Sequence, residues 1–305
     1  MFNINNDTIV TLGVHNGIFH ADDVLCAAML RWLYKEGAIG GLEIVRTRDP
    51  KVLETCNIVC DIGGDDIVTD DRIMFDHHQT DSEEYPNGIK MAACGKLFRY
   101  LNSIEGIFEL DTIEVDYLLE HLFYPVEAQD NGQVLEAVKC PNQLSFVNIW
   151  NTDWDEPQEL QDERFQEAVS IATEIFGKFL KRAQGVKKIH DTMVTELTKY
   201  SGDGILSLEK FVPWNSAVLE YNRSSEKSIK AVIFPAMNGG YNVQMVPVKE
   251  GTFETYTSLP WRGLKGPELE DASGISGAIF CHPAGFISGW KTREAALEAA
   301  TKALA

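Results

Sequence analysis

The sequence lacks long hydrophobic runs. Its longest apolar stretches, such as residues 9–14 and 229–234, are far shorter than the roughly 20 residues that a helix needs to cross a bilayer. The N-terminal segment also lacks the basic and apolar layout of a secretory signal and the arginine-rich pattern of an organelle presequence. We therefore expect a cytoplasmic protein with no membrane span and no membrane partner.

Closely spaced cysteine pairs are also missing. The chain has six cysteines, and none forms the paired short spacings of a structural zinc site or a disulfide framework. Cys56 and Cys60 are four residues apart, but Cys60 belongs to a strand-like apolar run. This pattern argues against a disulfide-stabilised secreted domain, and we interpret the cysteines as reduced core residues.

Basic residues are the minority among the charged ones. The chain has 27 Lys and Arg against 46 Asp and Glu, a formal net charge of −19 at pH 7. Such a field repels polyanions at long range, which argues against broad, non-specific binding of nucleic acid. It does not exclude a nucleic-acid substrate, because divalent cations held by acidic ligands invert the local potential.

The order of apolar runs predicts an α/β protein with two domains. With 305 residues, 44% of them hydrophobic, the chain is long enough for two cores. Short β-branched runs alternate with helical patterns in the first half, which predicts a doubly wound, mainly parallel sheet. Beyond about residue 202 the pattern changes to alternating strands. We predict a metal-binding catalytic domain with a helical connector over residues 1–190 and a smaller α+β substrate-binding domain over residues 191–305.

What the sequence does have is histidine next to carboxylate. Two short segments, His15 to Asp23 and Asp76 to His78, combine imidazole and carboxylate, the ligands that hold manganese-type divalent cations. Strand-like runs precede both segments and also precede Asp61. Because the carboxyl ends of parallel strands share one edge of a sheet, these residues are expected to converge in one crevice. The clustering favours a two-metal hydrolytic site.

One more ligand candidate follows a helical pattern. The pattern runs from Met91 to about Leu122, and the segment 124–132 is predicted to break it because it contains Pro125 and Gly132. Asp130 lies in this break, which makes it the next candidate ligand.

Several of these residues also have structural explanations. Asp22 or Asp23 could serve as the N-cap of the following helix, and Asp61 and Asp130 could each be turn residues. Two further segments also have two explanations each, because each could hold a phosphate or form only local contacts. Arg46 and Arg48 could clamp a phosphate or pair with the acidic surface, and the segment 285–292 could present backbone N–H groups and Lys291 to a phosphate or be a loop with a Thr cap.

Taken together, the motifs resemble the DHH phosphoesterase superfamily, and within it they are most similar to the melanocyte-proliferating-gene exonuclease family. The resemblance covers nearly the whole chain and rests on seven segments: His15 to Asp23, Ile44 to Pro50, Asp61 to Gly64, Phe75 to Gln79, Asp130 to Gly132, Trp261 to Leu264 and His282 to Thr292. It implies a doubly wound N-terminal domain that carries two metals, Mn²⁺ or Mg²⁺, and a C-terminal domain that closes a substrate cleft.

The resemblance also implies roles for individual residues. The metal ligands would be His15, His20, Asp22, Asp61, His77 and Asp130, with Asp61 bridging. Asp76 would orient His77 and the nucleophilic water, and His78 would face the phosphate. The substrate-binding residues would be Arg46, Arg48, His282, Gly285, Gly289 and Lys291. Asp23 stands where glutamate is common in the family.

These observations lead to one main functional hypothesis. We predict a metal-dependent phosphodiesterase, a 3′-to-5′ exonuclease that hydrolyses single-stranded RNA or short oligonucleotides through a water activated by two metals, with Mn²⁺ favoured over Mg²⁺. One alternative is a hydrolase of a small phosphate compound, pyrophosphate or a cyclic dinucleotide. Another is a non-catalytic, metal-stabilised binding protein. The sequence also allows a homodimer.

Overall fold

The computed structural model describes residues 4–64, 66–69, 71–78, 83–133, 136 and 138–305. Gln79, the last residue of one predicted motif, lies outside the described residues. The chain divides into two compact units, Met1–Val186 and Lys187–Ala305. The predicted domain boundary after residue 190 lies, like the division between the units, within one long helix, Gln161–Thr198.

A five-stranded sheet forms the centre of the first unit. Its strands are β1 (Ile9–Val14), β2 (Gly41–Arg46), β3 (Ile58–Cys60), β4 (Ile67–Val68) and β5 (Ile73–Phe75), in the spatial order β2-β1-β3-β5-β4. The pairs β2–β1, β1–β3 and β3–β5 are parallel, and only the short edge strand β4 is antiparallel to its neighbour β5. The sheet is therefore mainly parallel, as predicted.

Both faces of this sheet are covered. Strand residues alternate between the two faces, so Ile58 and Cys60 pack into the large core on one side, whereas Val59 packs with Leu53 and Met74 on the other. Such burial on both faces explains the continuous apolar runs of the strands. The predicted doubly wound α/β fold of this unit is confirmed.

The α-helices that begin in the described part of the first unit are α1 (Ala21–Lys35), α2 (Pro50–Leu53), α3 (Ala93–Asn102), α4 (Thr112–Leu118), α5 (Tyr124–Asp130) and α6 (Gln161–Thr198), which continues past Val186. The predicted break over residues 124–132 is wrong, because a π-helical turn, Leu119–Phe123, joins α4 directly to α5. Pro125 lies in the first turn of α5, where its missing N–H costs little. Asp130 is consequently the last residue of a helix.

A mixed sheet organises the second unit. Its strands are β6 (Ile205–Ser207), β7 (Ala231–Pro235), β8 (Tyr241–Met245), β9 (Ala278–Cys281) and β10 (Ile287–Trp290), in the order β6-β7-β8-β10-β9. Only β6 and β7 are parallel. Three helices accompany the sheet, α7 (Asn215–Ser224), α8 (Gly266–Ser273) and α9 (Arg293–Leu304). The predicted second, α+β domain is thus also present. Among the described helices of the chain, none combines the length and the apolar character that a membrane crossing requires.

Candidate metal centre

Strand ends place the first donors of the candidate site. Strands β1, β3 and β5 are parallel neighbours, and the residues that follow them directly are His15, Asp61 and Asp76. Parallel strands end at the same edge, so these side chains lie side by side. His20 and Asp22 arrive with the start of α1, and Asp130 arrives with the end of α5.

The predicted ligands converge into three overlapping groups. Within each group, the donor atoms lie within 4.8 Å of one another. The groups are His15, His20 and Asp61; Asp22, Asp61, His77 and Asp130; and Asp61, Asp76, His77 and His78. The six predicted ligands and the two predicted catalytic residues are therefore brought together in the first unit, and Asp61 belongs to all three groups.

Asp61 has an unusual backbone conformation, and its two carboxylate oxygens face different histidines. Its φ of 57° is in the left-handed region, which non-glycine residues seldom occupy except where the surrounding structure imposes it. One carboxylate oxygen, Oδ2, lies 3.2 Å from Nε2 of His15, and the other, Oδ1, lies 3.1 Å from Nε2 of His77. Burial alone would raise the pKa of Asp61, but the hydrogen bonds with the two histidines hold it below its usual range. The ionised carboxylate thus faces two histidines at once, as a bridging ligand would.

His77 is fixed through both of its ring nitrogens. Nε2 lies 2.9 Å from Oδ2 of Asp130, and Nδ1 is 3.1 Å from Oδ1 of Asn131. Asn131 in turn donates its side-chain N–H groups to the backbone oxygens of Lys90 and Glu127. Burial would lower the pKa of His77, but the hydrogen bonds to Asp130 and Asp61 raise it to about 11. Sequence analysis assigned no role to Asn131, although it adjoins the predicted ligand Asp130.

Asp22 and Asp23 have different surroundings. Asp22 is fully buried, and its carboxylate accepts hydrogen bonds from the backbone N–H groups of Ala93 and Cys94, at 3.1 and 2.7 Å, where α3 begins. Burial and the nearby Asp61 raise its pKa well above the ordinary value. The N-cap of α1 is His20, whose N–H donates to Asp23 at 2.8 Å. The N-cap alternative is therefore wrong for Asp22, and Asp23 contributes to the cap from the third helical position.

The surroundings of the second carboxylate oxygen of Asp23 indicate whether the site suits a cation. Asp23 Oδ2 is buried and has no hydrogen-bond partner among the described residues, and it lies 3.6 Å from Nε2 of His15. Burial raises the pKa of Asp23 to about 7, although the neighbouring His15 lowers it. A buried carboxylate oxygen that accepts no hydrogen bond is costly unless positive charge compensates it. Together with the imidazole and carboxylate donors, this arrangement fits bound divalent cations.

Asp76 organises the turn that carries His77 and His78. Its Oδ1 accepts hydrogen bonds from the N–H groups of His77 and His78, at 2.7 and 3.3 Å, and from Nδ1 of His78, at 2.7 Å. Its Oδ2 accepts from the N–H of Gly64 at 2.7 Å. Burial would raise the pKa of Asp76, but these hydrogen bonds lower it below the usual value. The carboxylate consequently orients His78, whose side chain is 65% exposed.

A cavity of about 660 Å³ opens over the site. Its lining includes His78 and Arg48, together with five of the six predicted ligands: His15, His20, Asp61, His77 and Asp130. Four amide residues to which sequence analysis assigned no role also line it: Asn16, Gln129, Asn142 and Asn148. Sequence reasoning missed these four because single amides in separate segments give no local pattern.

The two arginines of the predicted phosphate clamp are in different positions. Arg48 lines the cavity, whereas Arg46 is not among its described lining residues. The guanidinium of Arg46 is almost fully buried, donates to Oδ1 of Asp162 at 2.8 Å and to the carbonyl of Gly17 at 2.6 Å, and lies 4.6 Å from the ring centroid of Phe165. For Arg46, the structure favours the second interpretation, pairing with an acidic residue.

The remaining predicted substrate residues belong to the second unit. His282 and Gly285 form the tight turn between β9 and β10, in which the N–H of Gly285 donates to the carbonyl of His282 at 2.8 Å and Gly285 has a φ of 73°. Gly289 lies in β10, where a Cβ atom would come within 2.6 Å of the Phe280 ring. Lys291 is exposed. Thr292 caps α9, as its structural interpretation predicts, and the substrate role of the other four stays a prediction.

Comparison with known proteins identifies the family. The MYG1 exonuclease family model, described as "Uncharacterised protein family (UPF0160)", matches residues 11–304. The chain belongs to this family. The chain is similar to the MYG1 exonuclease of Bos taurus, with 33% identity over an alignment of 329 residues, gaps included. The alignment covers 96% of this chain and 84% of the relative. It is also similar to the MYG1 exonuclease of Homo sapiens, with 31% identity and coverages of 96% and 85%.

Family membership extends to fungi. The MYG1 protein YER156C of Saccharomyces cerevisiae is 31% identical over an alignment of 343 residues, gaps included, that covers 99% of this chain and 98% of the relative. The predicted exonuclease family is thus confirmed, and with it the predicted class of metal-dependent hydrolase.

One solved structure is weakly similar to the chain. It is RecJ in complex with Mn²⁺ from Thermus thermophilus, with 14% identity and a TM-score of 0.29. The match covers 96% of this chain, which spans only about half, 51%, of that structure's length.

Proposed function

We propose that the protein is a 3′-to-5′ exonuclease that hydrolyses single-stranded RNA or short oligonucleotides with the help of two divalent cations, Mn²⁺ in preference to Mg²⁺. The observation that carries the proposal is that Asp61 belongs to every donor group of the site. The curated relatives of Bos taurus and Homo sapiens, which are named exonucleases, support the same activity.

The donor groups divide naturally between two cations. One cation would take His15, His20 and Asp61, and the other would take Asp22, Asp61, His77 and Asp130. Mixed imidazole and carboxylate donors suit first-row divalent cations. When bound, such a pair supplies an activated water and offsets the charge that builds on the phosphoryl group.

The protein's own residues would position the phosphate. His78 lines the cavity, and because its Nδ1 is committed to Asp76, Nε2 is the ring atom left to contact a phosphate oxygen. Arg48 lies on the same cavity and adds a positive charge whose planar guanidinium suits a phosphate. These two groups place a phosphodiester next to the metal donors.

The cavity supports a substrate that enters as a single strand or a short piece. Its volume of about 660 Å³ is in the range of pockets for small molecules, about 300–1,000 Å³. Amide side chains of Asn16, Gln129, Asn142 and Asn148 offer both donors and acceptors to sugar hydroxyls and to the Watson–Crick edges of bases, which are accessible only where strands are unpaired. The 3′-to-5′ polarity rests on the resemblance to the exonuclease family.

The proposal is tested with RNA labelled at one end or the other, incubated with Mn²⁺ or Mg²⁺. The expected result is stepwise shortening from the 3′ end with release of nucleoside monophosphates, and its loss after chelation with EDTA. His190→Ala, in the exposed part of α6, is the matched histidine control and is expected to retain full activity.

Other outcomes would replace the proposal. Shortening from the 5′ end would contradict the polarity, and hydrolysis of only pyrophosphate or a cyclic dinucleotide would assign a small-molecule substrate. Binding of Mn²⁺ without hydrolysis of any of these compounds would indicate a non-catalytic, metal-stabilised protein.

A further inference from the structure

A lysine is buried directly behind the metal donors. Lys96 lies on α3, and only 5% of its surface is exposed. Lysine is almost never fully buried unless it is paired, because removing an ammonium group from water is costly. The contacts of Lys96 therefore indicate what its burial accomplishes.

Lys96 and Asp66 together hold the backbone of Asp76. Nζ of Lys96 donates to the carbonyl oxygen of Asp76 at 2.5 Å and to Oδ2 of Asp66 at 2.7 Å. Oδ1 of Asp66 accepts a hydrogen bond from the N–H of Asp76 at 3.1 Å. Both backbone polar groups of Asp76 are thus bound, and the two side chains that bind them form an ion pair with each other.

The position of Asp76 determines where the next two histidines lie. Its carboxylate holds the N–H groups of His77 and His78, so a rotation of the Asp76 peptide would displace both rings. Nε2 of His77 is within 3.1 Å of oxygens from both Asp61 and Asp130, and such contacts do not survive a shift of about 1 Å. The turn therefore needs a fixed backbone.

The same helix also fixes a donor on the other side of the site. The first N–H groups of α3 bind the carboxylate of Asp22, while Lys96, one turn further along, binds the carbonyl of Asp76. One rigid element thus sets the positions of two segments that are far apart in sequence. The role of Lys96 and Asp66 is geometric, since a lysine ammonium has no lone pair for a metal and Asp66 is in none of the donor groups found among the described residues.

We propose that the Lys96–Asp66 pair is a clamp that sets the Asp76 turn, and that Lys96 is a positioning residue for metal binding and hydrolysis. The clamp rests on the proposed function to the extent that the donors it positions are those of the metal site. Stability alone would not require both side chains of the pair to bind the backbone of the same residue.

Two substitutions test the clamp. Lys96→Met keeps the length of the side chain and removes its charge, and Asp66→Ala removes the partner, whose side chain is 37% exposed. Arg99→Met is the matched control, because Arg99 lies on the same helix and forms an ion pair with Glu83 in which both side chains are about half exposed.

Folding is checked by circular dichroism, and Mn²⁺ affinity is measured by calorimetric titration of the metal-free protein. The rates of RNA and bis-p-nitrophenyl phosphate hydrolysis follow at saturating Mn²⁺. Each clamp variant is expected to lose about ten- to hundred-fold in Mn²⁺ affinity or kcat, with little change in KM. The double variant should lose no more than the worse single variant, because the two residues act as a unit. Arg99→Met should match the wild type.

The clamp is overturned if folded Lys96→Met binds Mn²⁺ and turns over substrate like the wild type. If Lys96→Met fails to fold, Asp66→Ala decides, and wild-type affinity and kcat in that variant would equally overturn it. A variant that loses only thermal stability would show a structural role instead. The Mn²⁺ titration needs no substrate, so failure of the wild type to cleave RNA would contradict the exonuclease proposal without deciding the clamp.

Discussion

Nδ1 of His78 lies 2.7 Å from Oδ1 of Asp76, and this contact ties the exposed ring of the cavity to the buried turn beneath it. Asp76 also accepts three backbone hydrogen bonds, from Gly64, His77 and His78. The carboxylate of Asp76 therefore fixes the backbone of the whole turn as well as the ring of His78. Its removal is expected to affect the reaction more than the fold.

The first prediction concerns Asp76→Asn. The amide keeps the size of the side chain, but it cannot accept hydrogen bonds at all the positions that the carboxylate serves, so His77 and His78 lose their alignment. We expect kcat for RNA hydrolysis to fall about 100-fold or more in a protein whose circular dichroism spectrum is unchanged. Retention of wild-type kcat in this variant would rule out the assigned role of Asp76.

The second prediction separates charge from backbone strain at Asp61. Asn tolerates the left-handed conformation, so Asp61→Asn should remain stable while Mn²⁺ binding and hydrolysis are lost. Asp61→Val forces a β-branched residue into the same conformation and should lower the free energy of unfolding by a further ~1–3 kcal/mol. Chemical denaturation of the two metal-free variants, side by side, measures the difference, and equal stabilities would contradict the strain.

The third prediction distinguishes the two arginines. Arg48→Met should raise KM for RNA, because Arg48 lines the cavity, and leave the melting temperature near that of the wild type. Arg46→Met should do the opposite, because it breaks the contacts with Asp162 and Phe165, at a cost of roughly 1–3 kcal/mol. Steady-state kinetics and thermal melts of both variants check this, and a reversed pattern would restore the phosphate clamp at Arg46.

The fourth prediction concerns the pH dependence of stability through Glu127. This side chain is fully buried, and burial raises its pKa to about 8, although hydrogen bonds from Ala92 and Tyr85 lower it. Because the folded-state pKa exceeds the ordinary value of 4.5, Glu127 stays protonated in the folded state at pH values between 4.5 and about 8, where it is ionised in the unfolded chain. Stability from this group is therefore full below about pH 4.5 and is lost as the pH rises towards 8.

Glu127→Gln provides the measurement. The neutral amide should remove this loss, so the variant should gain melting temperature relative to the wild type as the pH is raised from 5 to 9. Glu120→Gln, at a partly exposed carboxylate in the π-helical turn that precedes α5, is the control and should leave the wild-type profile unchanged. Parallel profiles for Glu127→Gln and the wild type would contradict the assignment.

The fifth prediction concerns metal removal. Cations that bind only the folded state stabilise it, by about 2.7 kcal/mol when their free concentration is 100 times the dissociation constant. Addition of Mn²⁺ should therefore raise the melting temperature, EDTA should reverse the rise, and Asp61→Asn should show neither effect. A melting temperature that does not respond to Mn²⁺ in the wild type would contradict the metal centre.

Parts of the site could be predicted from local patterns. Short apolar runs that end in His15, Asp61 and Asp76 indicate strand ends, and the rule for parallel sheets then brings these residues together. The prediction of Asp130 rests on a wrong premise, because the expected break at Pro125 is a continuous helix. A proline in the first turn of a helix and one that ends a helix look the same when only local sequence is considered.

The sequence by itself determined the donor types, the alternation of strands and helices, and the family, because these properties belong to short segments or to their order. Only the tertiary structure decided that Arg48 faces the cavity while Arg46 pairs with Asp162, which is 116 positions away. It alone also placed Lys96 behind Asp76. Such choices depend on contacts between distant segments, and residues of the same chemical type are distinguished only when the packing around each of them is known.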